Sequence, residues 1–120
     1  MTESELIRRT KGMALQAISL VRALPQNIES QVIGKQLVRS ATSVAANYRS
    51  AWKARSRKDF INKLGIVEEE ADETQLWLEL IVDSNLMAQS KVACLYKEVK
   101  ELTAIFAASR ITAQSKHRTF

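Results

Sequence analysis

The sequence predicts an all-α protein, an up-down-up-down antiparallel four-helix bundle. Three observations carry this reading. Apolar residues recur at alternating steps of three and four along four long segments. Only three glycines and one proline interrupt the 120 residues, which leaves few places to break an element. The breaks that do occur are short, and short connections between long helices require antiparallel neighbours. At this length the chain reads as one domain, residues 1–120.

The first helix is predicted over 3–24, with Leu6, Thr10, Met13, Ala17, Leu20 and Leu24 on one stripe. It stops at Leu24-Pro25, because the proline ring disfavours helical geometry before it and donates no N–H. Asn27 is the expected N-cap of the second helix, 28–54, which carries Ile33, Leu37, Ala41, Val44, Tyr48 and Ala51. The small residues Ser40, Ala41, Ser43, Ala45 and Ala46 lie between the bulky ones and let a neighbouring helix approach closely.

Ser56 followed by Asp59 resembles a capping box and opens the third helix, 57–84. Phe60, Leu64, Val67, Ala71, Thr74, Leu78 and Ile81 keep an unbroken alternation of four and three, while Leu76, Trp77, Leu80 and Val82 add a second apolar surface. The helix is expected to end by Asn85, a residue that tolerates left-handed geometry. The fourth helix is predicted over 91–112, with Ser90 as N-cap and Val92, Leu95, Val99, Leu102, Phe106 and Ser109 in register. Residues 113–120 read as a basic, fraying tail.

No segment approaches the ~18 uninterrupted apolar residues of a membrane span, and the opening MTESELIRRT lacks a signal-peptide core. The single cysteine, Cys94, forms no internal disulfide. These features predict a cytoplasmic protein with no membrane partner. Catalysis is not expected. A cysteine nucleophile needs a positioned base, and the only histidine, His117, falls in the tail; the glycines are isolated and make no phosphate-cradling loop. Glu69, Glu70, Asp72 and Glu73 put carboxylates on adjacent turns, yet bundle di-metal sites use Glu-x-x-His motifs that this chain lacks. No metal and no cofactor are therefore expected, and a carboxylate metal site is the third-ranked alternative.

The charge is polarised along the middle of the chain. Eight cations and one acid lie between Lys35 and Lys63, and seven acids with no cation lie between Glu68 and Asp83. Arg49, Lys53, Arg55, Arg57 and Lys58 converge on the predicted turn between the second and third helices, where they are the expected phosphate contacts of an RNA or DNA partner. Lys63, Lys116 and Arg118 are further candidates. Tyr48 and Trp52 follow the apolar stripe, which places them in the core or at a subunit interface; stacking on unpaired bases is the other role open to them. A subunit interface would draw on Tyr48, Trp52 and Trp77, with Glu70 and Glu73 of the acidic stretch facing a neighbour's basic stretch. On that alternative the charges serve ring assembly or a protein partner only.

The stretch LVRSATSVAANYRSAWKARSRKDFINKLGIVEEEADETQLWLELI, followed by YKEVKELTAIFAAS, resembles the four-helix-bundle family of the 23S ribosomal RNA intervening-sequence proteins. That family also includes the accessory variability determinant proteins of diversity-generating retroelements. The shared pattern is a small-residue run ending in Asn, a basic turn, a Phe-Ile pair opening the third helix, and an acid-rich segment running into Trp-Leu-Glu-Leu. The resemblance implies a non-catalytic homo-oligomer, by analogy a homopentamer with a basic surface. It also implies a nucleic-acid-binding accessory role, with a reverse transcriptase or another protein as the partner. Many relatives have Glu-Gly where this chain has Arg49-Ser50, so the turn here is more basic.

Overall fold

Each break in the apolar period is closed by a local hydrogen bond that ends one helix or starts the next. The computed structural model describes the backbone of residues 1–118 and the side chains of residues 1–116. It contains α1 (Glu3–Arg22), α2 (Ile28–Ala51), α3 (Arg57–Asp83) and α4 (Gln89–Arg118). Thr2 caps α1 by accepting from the Glu5 amide, and the Asn27 side chain caps α2 by accepting from the Ser30 amide at 2.8 Å. The Ser56 hydroxyl caps α3 by accepting from the Asp59 amide at 3.1 Å. Asn85 takes the left-handed conformation, φ 63°, after α3. Its amide donates to Val82 O and the Leu86 amide to Ile81 O, the paired bonds of a Schellman ending, while Leu86 packs against the core.

The expected limits hold to within a few residues for the first three helices. The fourth differs. It starts at Gln89, so Ser90 lies inside it, and it continues to Arg118 rather than fraying from residue 113. Ala113, only 7% exposed, falls four residues after Ser109 and prolongs the buried stripe by a turn. The polar residues around it obscure that period in the sequence.

The helices form a four-helix bundle 53 Å long and 21 Å across, in which α1 and α3 each contact both α2 and α4. The stripes read from the sequence face inward, with Leu37, Ala41, Val44, Leu64, Val67, Ala71, Leu78 and Ile81 fully buried. On α2 the inward face passes through Ser30 and Gly34, while Ile33 is half-buried at its edge. A Cβ at Gly34 would meet Val21 Cγ1 at 3.0 Å, so α1 and α2 approach closely there.

The small-residue run packs against α3. The Thr74 hydroxyl donates to Ser40 Oγ at 2.8 Å, and the Ser40 hydroxyl donates to Leu37 O at 3.2 Å. Both residues are buried, so each hydroxyl needs its partner. Tyr48 and Phe106 meet across the diagonal between α2 and α4, ring centroids 5.3 Å apart.

Arginine–glutamate pairs tie neighbouring helices together on the surface. Arg9 of α1 meets Glu98 and Glu101 of α4, Arg39 of α2 meets Glu70 and Glu73 of α3, and Arg110 of α4 meets Glu68 of α3. Hydrogen bonds to Glu98, Glu73 and Glu68, respectively, hold the three guanidinium groups even more firmly protonated than usual. Such partly exposed pairs add little stability each and serve mainly to set register.

Candidate nucleic-acid interface

The antiparallel order brings the start of α1, the end of α2, the start of α3 and the end of α4 to one end of the bundle. Here α2 finishes in tightened turns, with the Lys53 amide donating to Ser50 O and the Ala54 amide to Ala51 O. A short turn then leads to Ser56 and α3. Arg49 occupies the last turn of α2, Lys53 and Arg55 the connection, and Arg57 and Lys58 the first turn of α3.

All five cations are exposed, and none makes an ion pair among the described residues. The contrast is with Arg9, Arg39 and Arg110, each of which is neutralised by a glutamate of the adjacent helix. The only acid of the Lys35–Lys63 stretch, Asp59, is half-buried on the first turn of α3. Arg57 and Lys58 also stand at the positive end of the α3 dipole, where cations are disfavoured. Helix stability therefore does not account for their placement. Cations gathered at a helix start without ion pairs among the described residues make an anion-attracting surface.

The two aromatic residues of the turn separate. Tyr48 is 2% exposed and belongs to the core, which corrects its assignment to a subunit interface and removes it from any stacking role; burial pushes its phenol pKa above the ordinary value. Trp52, the C-cap of α2, is 44% exposed. It is buttressed from inside by Phe60, centroids 5.2 Å apart at 59°, and by the edge of Tyr48 at 6.3 Å.

Beside Trp52 an open groove of about 780 Å³ runs between the start of α1, the end of α2, the start of α3 and the end of α4. Leu6, Tyr48, Phe60, Leu64 and Ile105 line it, with Arg57 and Lys116 also contributing. Lys116 thus joins the basic turn through the length of α4, a placement hidden by the expectation of a frayed tail. Lys63 is half-buried farther along α3, and the side chains of His117 and Arg118 lie outside the described residues.

The acidic stretch is placed differently from the basic one. Glu68, Glu70 and Glu73 already have arginine partners in the same chain, and Glu79 accepts a hydrogen bond from Tyr96, whose phenol pKa this bond raises. Glu69, Asp72 and Asp83 are exposed and make no ion pair among the described residues. No group of three or more His, Cys, Asp or Glu side chains converges to hold a metal among those residues. Cys94 is exposed on α4. Trp77 is half-buried against the core, with its Nε1 buried and without a hydrogen-bond partner among the described residues, whereas Leu76 and Leu80 are exposed on α3. No helix of the described residues is long and apolar enough to cross a membrane.

The 23S rRNA-intervening sequence protein family matches residues 2–108. A crystal structure of a protein of unknown function from the S23 ribosomal protein family of Bacteroides thetaiotaomicron superposes with a TM-score of 0.82 at 31% identity, covering 88% of this chain and 97% of that one. Among curated proteins, none matches the chain.

Proposed function

The chain belongs to the 23S rRNA-intervening sequence protein family, and from that premise we propose that it is a non-catalytic nucleic-acid-binding accessory protein whose working surface is the basic turn between α2 and α3. One observation carries the reading: Arg49, Lys53, Arg55, Arg57 and Lys58 are exposed without ion-pair partners among the described residues, while Arg9, Arg39 and Arg110 are paired. Phosphates supply the missing counter-charge, and the gain comes from releasing their condensed counterions. Because three of the seven acids from Glu68 to Asp83 are already paired with arginine within the chain, charge matching between copies has less to work with than the sequence suggests.

A second reading is a protein-protein scaffold, and it rests on a different surface. Ile66, Leu76 and Leu80 are exposed on the side of α3 that faces away from the core, with Glu69 and Glu73 between the first and the other two, and burial of these apolar residues favours self-association. The two readings use different faces and are compatible in one homo-oligomer. Fluorescence anisotropy of labelled single-stranded and duplex RNA and DNA tests the first. Binding at low salt that weakens steeply as salt rises supports it; no binding to any of the four refutes it and leaves the scaffold.

A further inference from the structure

We propose that the groove beside Trp52 receives an unpaired nucleobase, so that the protein prefers single strands to duplexes; this rests on the nucleic-acid reading of the same end of the bundle. The indole is exposed yet held in place by Phe60 and Tyr48, so little freedom is lost when a base stacks on it. Aromatic stacking of this kind accepts any base, because every base has a π-face.

The groove has the volume of a small-molecule cleft, for which the usual range is about 300–1,000 Å³, and its apolar floor suits a base but not a phosphate. Its polar contributors are placed for the backbone on either side of that base. Arg57 comes from the start of α3 and Lys116 from the end of α4, while Arg49 and Lys53 flank Trp52 in the chain. A strand laid across the groove meets cations before and after the inserted base. A duplex cannot enter a groove confined to one end of a bundle 21 Å across, and it keeps its base faces stacked on one another. An anionic amphiphile would share the apolar floor but would leave most of the dispersed cations without partners.

The test compares an oligothymidylate with an abasic phosphodiester strand of equal length and charge, on the Trp77→Phe protein, in which Trp52 is the only indole. Stacking predicts that the base-bearing strand binds at least about fivefold tighter and quenches Trp52 emission, whereas the abasic strand leaves emission unchanged. Trp52→Leu, which keeps apolar bulk and whose helicity is checked by circular dichroism, is expected to bring the base-bearing strand to the abasic level. Equal affinity for both strands with no quenching overturns the groove proposal and leaves the phosphate reading standing. Binding of neither strand overturns both. Quenching by laurate but not by the oligothymidylate overturns the proposal and assigns the groove to an anionic amphiphile.

Discussion

Replacing Arg55, Arg57 and Lys58 together by alanine separates what the basic turn does for binding from what it does for folding. If the five exposed cations of the turn each neutralise one phosphate, the logarithm of affinity for a single strand falls with that of salt at a slope of about −3.5. A rise from about 50 to about 200 mM salt then costs about 100-fold in affinity. Removing three of the five leaves a slope of about −1.4 and only about a sevenfold loss over the same range. The structure predicts the opposite direction for stability. Arg57 and Lys58 sit against the α3 dipole and make no ion pair among the described residues, so their removal leaves Tm unchanged or raises it. Anisotropy titrations across the salt series, with thermal melts by circular dichroism, read both quantities. An unchanged slope would show that phosphates are met elsewhere; a lowered Tm would show that these side chains hold the turn together.

Three further outcomes follow from the packing. Gly12→Ala and Gly65→Ala place a Cβ that meets nothing within 4 Å, so each gains about 1 kcal/mol of helix propensity, roughly 4 °C in Tm; Gly34→Ala meets the stiff Val21 side chain at 3.0 Å and gains nothing, as thermal melts will show. Trp77→Phe removes a buried, partnerless indole N–H, and denaturant titration should find it within about 1 kcal/mol of the parent, whereas Phe106→Ala costs about 3–5 kcal/mol. Ser40→Ala and Thr74→Val should each cost about 1 kcal/mol, and the double variant should cost at least about 0.5 kcal/mol less than their sum, because the two hydroxyls bond to each other.

The parts of this fold legible in the sequence are those governed by neighbours in the chain. Asn27 and Ser56 cap helices through amides three residues on, and Asn85 turns left-handed immediately after α3. The small run around Ser40 announced a close seam, although not that Thr74 would complete it from α3. Where sequence reading failed, contacts distant in the chain decided. Tyr48 and Trp52 are one turn apart and equally aromatic, but Phe106 closes over the first while the second remains at the open end of the bundle. Arg39 looked like part of the basic stretch, yet it reaches across to Glu70 and Glu73 and is spent on register. The end of α4 is hidden in the sequence because Ala113 is one small apolar residue among polar ones, and only the folded bundle buries it.

The two ends of the bundle differ. At the far end α3 terminates in a complete Schellman ending, and Leu24, Leu86 and Met87 are packed into or against the core. Departures from local preference occur at that end too: Ile28 is 76% exposed, Lys91 stands on the first turn of α4, and Ser30 Oγ is buried without a hydrogen-bond partner among the described residues. At the near end three departures meet: a tryptophan is left 44% exposed, cations open a helix, and the described residues leave a groove between them. Each departure has a stability cost that an ordinary substitution would remove, by burying or replacing the indole, by exchanging Arg57 or Lys58 for an acid, or by enlarging Ala108 or Ala113. What distinguishes the near end is that exposed cations, an exposed ring and a groove adjoin one another there, which is the pattern of a site. The same combination explains why the turn is the place to look for binding and the exposed Ile66, Leu76 and Leu80 of α3 the place to look for assembly: among the described residues, the turn joins cations without ion pairs to an exposed ring braced by Phe60 and Tyr48.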